Sequence, residues 1–183
     1  MSFNIEEFKA NGLKQGGARP SLFEVIIPEW PGSTAPAQTE FRFKCRAANI
    51  PPSQLGAVDV PYFGRRIKLA GDRVYADWSI TLNHDEDWAV RDAIESWHSN
   101  INQHIENTMT GGVTPDPTTY KRDAFITHFS KSGEIIAEYT FKGIFPLTVT
   151  QMGVDWDATN QYMTFDVDFS IDYWLPLVDD GSA

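Results

Sequence analysis

Residues 162–174 read YMTFDVDFSIDYW, and the stretch divides into two faces. Met163, Phe165, Val167, Phe169, Ile171 and Tyr173 fall on one side of an extended chain, and Tyr162, Thr164, Asp166, Asp168, Ser170 and Asp172 on the other. A period of two is that of a β-strand with one buried face. The apolar side predicts core. The second side carries three carboxylates, which could be catalytic, could bind metal or could meet water.

The same alternation recurs upstream. FRFKCRA (41–47) places Phe41, Phe43, Cys45 and Ala47 inside, with Arg42, Lys44 and Arg46 outside. RVYADWSITL (73–82) places Val74, Ala76, Trp78, Ile80 and Leu82 on the core side. LFEVII (22–27), YKRDAFITHFS (120–130) and GEIIAEYTFKGIF (133–145) read as further strands, the last two forming a hairpin closed at Ser132-Gly133. Gly143 and Pro146 predict a kink or an edge before LTVTQM (147–152).

One segment changes period. Val90, Ile94, Trp97, Ile101 and Ile105 form a single stripe, which predicts an amphipathic helix over about 86–106. Asn83 or Asp85 is the expected N-cap, and Asp85, Glu86 and Asp87 complement the positive end of its dipole. The order β-β-β-α-β-β-β-β predicts a mainly β fold, an antiparallel sandwich or barrel with one flanking helix. Residues 1–183 read as one domain with an N-terminal arm (1–18), a long loop at 51–72 holding three prolines and three glycines, and a short C-terminal tail (175–183).

Composition narrows the function. A lone cysteine, Cys45, gives no intramolecular disulfide and reads as a small buried hydrophobe. Neither a signal peptide nor a membrane-length apolar run is visible, so a cytoplasmic product is expected. The net charge of −10 is unevenly spread. Residues 1–75 hold ten Lys/Arg against seven Asp/Glu, net +3, and the remainder five against eighteen, net −13. That balance opposes stable nucleic-acid binding, and it suits a basic front meeting the acidic back of another copy.

No motif carries chemistry strongly. Asp166 and Asp168 are the best catalytic candidates, because same-face strand neighbours lie roughly 7 Å apart, within reach of an inverting glycosidase pair. No His or Cys stands near them at ligand spacing. His98 and His104 are six apart and point to different helix faces, so no metal site is expected. Trp78, Trp88 and Trp97 read as core and helix-packing residues. Arg65, Arg66, Lys68 and Arg73 make a basic loop suited to an acidic neighbour. No cofactor is implied.

AGDRVYADWSITLNHDEDWAVRDAIESW (70–97) resembles the signature region of tail tube proteins from contractile-tailed bacteriophages of the T-even type. The resemblance extends, in order, through ARPSLFEVII (18–27), FRFKCRAANIPP (41–52), VPYFGRRIKLAGD (60–72) and DWDATNQYMTFDVDFSIDYW (155–174). It implies a β-barrel-like fold shared with inner tubes of type VI secretion and contractile injection systems. It also implies a structural, non-enzymatic role: hexameric rings stacked inside a sheath and conducting genome DNA, assembled in the host cytoplasm and ending in the virion. Sheath, tape measure, baseplate and tail terminator proteins would be partners, with no stable membrane association. On that resemblance Asp166, Asp168 and Asp172 would line the lumen, and Phe63, Arg65, Arg66, Lys68 and Arg73 would contact neighbouring subunits. The alternatives are an inner tube of a secretion or injection system, or a baseplate glycosidase using Asp166 and Asp168.

Overall fold

The longest strand turns a corner, and the fold is organised around that turn. A computed structural model describes Ile5 and residues 17–31, 38–106, 108–109 and 116–177. In chain order the elements are β1 (Phe23–Ile26), α1 (Gln38–Lys44), β2 (Cys45–Ala48), β3 (Ser53–Tyr62), β4 (Arg65–Tyr75) and β5 (Trp78–Asn83). They continue with α2 (Ala89–Ile101), α3 (Pro117–Tyr120), β6 (Arg122–Phe129), β7 (Ile135–Val149), β8 (Thr164–Ser170) and β9 (Tyr173–Leu177). All strand pairs are antiparallel, in the order β1-β6-β7-β8-β5-β2, with β9 also on β7.

The N-terminal part of β7 pairs with β6 and β9, and Phe145–Val149 pairs with β8 instead. Gly143 sits at this change of partner with φ 68°, where a side chain would be strained. The expected kink is therefore the corner at which one continuous strand serves both halves of a folded-over sheet. The halves close on each other. Trp78 of β5 stacks on Phe141 of β7 at 4.6 Å between centroids, and Phe169 of β8 lies 5.6 Å from Trp78. Val25, Ile80, Leu82, Ile126, Ile144 and Val167 belong to the same buried cluster.

The helix α2 contributes Val90, Ala93, Ile94 and Trp97 to that core. Trp97 is wholly buried and donates its Nε1–H to the Tyr120 carbonyl at 2.8 Å. The helix is shorter than the periodicity predicts, for it ends at Ile101 and leaves Ile105 95% exposed. Its N-cap is Trp88, with φ 58° and no side-chain cap bond, in place of Asn83 or Asp85. Asp87 Oδ1 instead accepts the Ala89 amide at 3.3 Å, so of the three acids Asp87 serves the helix start.

Three further readings change. Residues 38–44 are helical, so Phe41 is buried while Phe43 is 74% exposed. The alternation of FRFKC fits either period. The Glu40–Lys44 pair at helical spacing and the burial of Phe41 and Lys44, three apart, settle it for the helix. The segment 51–72 is a long β-ribbon, β3 paired to β4, and 73–75 belongs to that ribbon, so Val74 and Ala76 are exposed. The opening stretch is two strands. β8 breaks at Ile171–Asp172, where the Asp172 amide bonds to the Lys142 carbonyl at 3.0 Å. The break resets the phase: Trp174 packs near Tyr75 and Tyr139, and Tyr173 is exposed. The tail predicted at 175–183 begins as β9, and its residues 178–183, like most of the N-terminal arm, lie outside the described residues.

Candidate functional site

Two surfaces stand out, and both follow from strand register. On β8, Phe165, Val167 and Phe169 are buried, which turns Asp166 and Asp168 outward. Asp166 is paired across the ladder with Thr81, and Asp168 with Ser79. Thr81 Oγ1 donates to Asp166 Oδ1 at 2.6 Å, and Ser79 Oγ donates to Asp168 Oδ1 at 2.5 Å. Each carboxylate thus spends one oxygen on a cross-strand hydroxyl.

These residues line a shallow, open depression of about 450 Å³ with Ala47, Ala48, Asn49, Ile80 and Thr150. Among the described residues its lining holds no Lys, Arg, His or Cys, and no aromatic ring against which a sugar would stack. The chemistry it offers is negative charge on a wall of small side chains. Asp172 stands apart from this pair. It lies beyond the strand break and accepts from Lys121 Nζ at 2.6 Å.

The second surface is the β3–β4 ribbon, in which every residue but Gly71 and Tyr75 is exposed. Phe63 and Gly64 form its two-residue turn, both with positive φ (41° and 80°), the hairpin geometry whose twist matches the flanking strands. The register puts Val58 opposite Leu69, Val60 opposite Ile67 and Tyr62 opposite Arg65, so one face is apolar. The reverse face carries Asp59 opposite Lys68, and Arg66 Nη1 lies 3.6 Å from Asp59 Oδ2. Phe63 at the tip is 90% exposed. The sequence marks this segment's charges, whereas its apolar stripe emerges only from the pairing.

A third cluster was hidden by reading 41–47 as a strand. Lys44 Nζ sits among Glu40 Oε1 (2.6 Å), Asp87 Oδ1 (3.2 Å) and Asp85 Oδ2 (3.5 Å). The three carboxylates lie close enough together to hold a metal ion, but an ammonium already occupies their centre. Burial works to lower the Lys44 pKa, yet Glu40 and Asp87 outweigh it and hold it above 10.5. The Ala89 amide, then Lys44, holds the Asp87 carboxyl below its usual 3.8. This cluster ties α1 to the start of α2. Cys45 is half-buried against the core, and burial pushes its thiol up to about 12, as befits a packing residue. Trp78 and Trp97 are core, while Trp88 lies against His84 and is 45% exposed. His98 and His104 line one depression beside Leu147 and Val149, because the helix ends before His104. No helix among the described residues is long and apolar enough to cross a membrane.

Comparison with known proteins places this architecture. The chain is 33% identical over 158 residues to tail tube protein gp19 of Enterobacteria phage T4, covering 86% of this chain and 90% of that one. It is 25% identical over 167 residues to the tail tube protein of Serratia phage KSP90, covering 90% and 92%. Among solved structures, the tube-terminating cap of the anti-feeding prophage superposes with a TM-score of 0.62 at 14% identity, covering 87% of this chain and 89% of that one. The sheath–tube complex of an extracellular contractile injection system gives 0.58 at 13% identity, covering 96% and 98%. Those two show a shared fold. The phage tail tube protein family model matches residues 18–176, and the chain belongs to that family.

Proposed function

We propose that this chain is the inner-tube subunit of a contractile phage tail. It closes into hexameric rings that stack into a hollow conduit for genome DNA, and it carries no catalytic activity. The single observation carrying this reading is the exposed β3–β4 ribbon on a chain of the tail tube family. A two-stranded ribbon is marginally stable alone in water, and its apolar face needs cover from further protein. Neighbouring subunits supply that cover, with Phe63, Arg65, Arg66, Lys68 and Arg73 as contact residues. The sheet path ends in β1 and β2, whose outer edges suit pairing between subunits around the ring. Sheath, tape measure, baseplate and terminator proteins are the partners in the virion, after assembly in the host cytoplasm.

Asp166 and Asp168 line the bore in this reading. Repeated around a ring, two outward carboxylates on small side chains repel phosphate, so DNA slides instead of sticking. Asp172 adds less to that field, since Lys121 already neutralises it.

Negative-stain electron microscopy of concentrated protein tests the assembly. Rings or tubes are expected, and a stable monomer at high concentration would refute it. Tubes of the Asp166→Lys/Asp168→Lys variant should then retain short duplex DNA at low salt where wild-type tubes do not. Equal retention would remove the aspartates from the bore.

A further inference from the structure

We propose that the loop carrying Trp156 in one copy seats on the apolar face of the β3–β4 ribbon of the next copy, and that this contact stacks one ring on another. The inference rests on the tube reading above. Trp156 is fully exposed (101%), and Val154 beside it is 85% exposed. The indole is nevertheless presented by an organised turn. Asp155 Oδ1 accepts the Asp157 amide at 3.0 Å, the Asp155 carbonyl accepts the Ala158 amide at 3.3 Å, and the Asp157 carbonyl accepts the Thr159 amide at 2.9 Å. These bonds fix the backbone that carries the indole, so less entropy is lost when it binds, as suits an interface anchor.

Charge selects the acceptor. Asp155 and Asp157 flank the indole, and neither forms an ion pair among the described residues. On the ribbon's apolar face Arg65, opposite Tyr62, is likewise without an ion-pair partner among them, and Lys68 on the reverse face adds positive charge to the ribbon. An acidic-aromatic knob and a basic-apolar ribbon are complementary in both sign and polarity.

Register supplies the geometry. Trp78 pairs with Phe169 and Asn83 with Thr164, so β5 and β8 run side by side in opposite directions. The ribbon leads into β5 at its Trp78 end. The Trp156 loop leads into β8 at Thr164, beside the opposite end of β5. Knob and ribbon therefore sit at opposite ends of the same strands. A contact between two different patches at opposite ends is heterologous and repeats head to tail, as stacking requires.

The test compares wild type with Trp156→Ala, with Asp155→Lys/Asp157→Lys, with Arg65→Glu, and with the two charge reversals combined. Electron microscopy and sedimentation velocity read assembly, and carbodiimide coupling of an Arg65→Lys variant with mass spectrometry reads proximity of Asp155 or Asp157 to position 65. Trp156 makes no contact that the fold needs, so its replacement leaves the subunit intact. Arg65→Lys tubes should give the inter-copy cross-link. Trp156→Ala and each reversal should give rings that do not stack, and the combined reversal should restore tubes. Tubes of wild-type length from Trp156→Ala, absence of the cross-link in tubes, or loss of the rings themselves would overturn the inference. Intact Trp156→Ala tubes would assign the loop to a different protein, such as the sheath. Wild-type protein forming neither rings nor tubes would instead sink the tube reading, so the two failures are distinguishable.

Discussion

Gly143→Ala probes the corner on which the fold turns. At φ 68° an L-residue costs about 1–2 kcal/mol over glycine. A Cβ built there overlaps Asp172 Oδ2 and lies 2.7 Å from its Cγ, so the Asp172 side chain must move and release Lys121. That pair is half-exposed and worth about 0–1 kcal/mol, and the forced rotamer costs a similar amount. Alanine restricts the unfolded chain and recovers about 0.4–1 kcal/mol. The net expectation is about 2 kcal/mol of destabilisation, or roughly 4–8 °C in Tm for a domain of this size.

Gly133→Ala is the internal control. Its φ is 86° but nothing lies within 4 Å of the added Cβ, so only the backbone strain applies, about 0.5–1 kcal/mol net. Differential scanning calorimetry of both variants, with and without Asp172→Ala, closes the cycle. With Asp172 truncated, the nearest remaining atom of that residue is its Cβ at 3.3 Å, and the excess penalty at position 143 should shrink toward the Gly133 value. A Gly143→Ala variant as mild as Gly133→Ala, or an excess unchanged by Asp172→Ala, would show that Asp172 does not close over the corner.

Trp97→Ala removes a wholly buried ring and the bond to the Tyr120 carbonyl, and should cost about 3–5 kcal/mol in denaturant unfolding, with Trp97→Phe markedly milder. Because the Asp87 carboxyl is depressed in the folded state, its contribution to stability is present above pH 3.8 and is lost as pH falls through the lower folded value. The Tm difference between wild type and Asp87→Asn should therefore be largest near neutrality and vanish in strong acid, and a difference independent of pH would contradict it. With its thiol pushed up to about 12, Cys45 should react with iodoacetamide at pH 9 about a hundredfold or more slower in the folded chain than in denaturant. Comparable rates would mean that the thiol is not buried.

The alternation in YMTFDVDFSIDYW decided which side chains share a face. Phe165, Val167, Phe169 and Ile171 are all buried, and Asp166 and Asp168 both face outward. The period of two is a property of the backbone, so it survives whatever packs against it. The amphipathic stripe of α2 was legible for the same reason, down to Val90, Ile94 and Trp97. Elsewhere the local pattern was ambiguous. FRFKC satisfies a strand by alternation and a helix by Phe41 and Lys44, and only Trp30 against Phe41 and the carboxylates around Lys44 decide between them. The segment 51–72 looked irregular because prolines and glycines obscure its period, yet pairing β3 with β4 converts it into a ribbon with one apolar face. The break after Ile171 also left no signature, since it is set by the bond from the Asp172 amide to Lys142 and by the glycine corner beneath it. The sequence by itself thus determined the faces of β8 and α2 and most of the strands. Tertiary structure alone decided where strands bend and which outward faces carry charge to water or apolar surface to a neighbour, because those outcomes depend on partners far away along the chain.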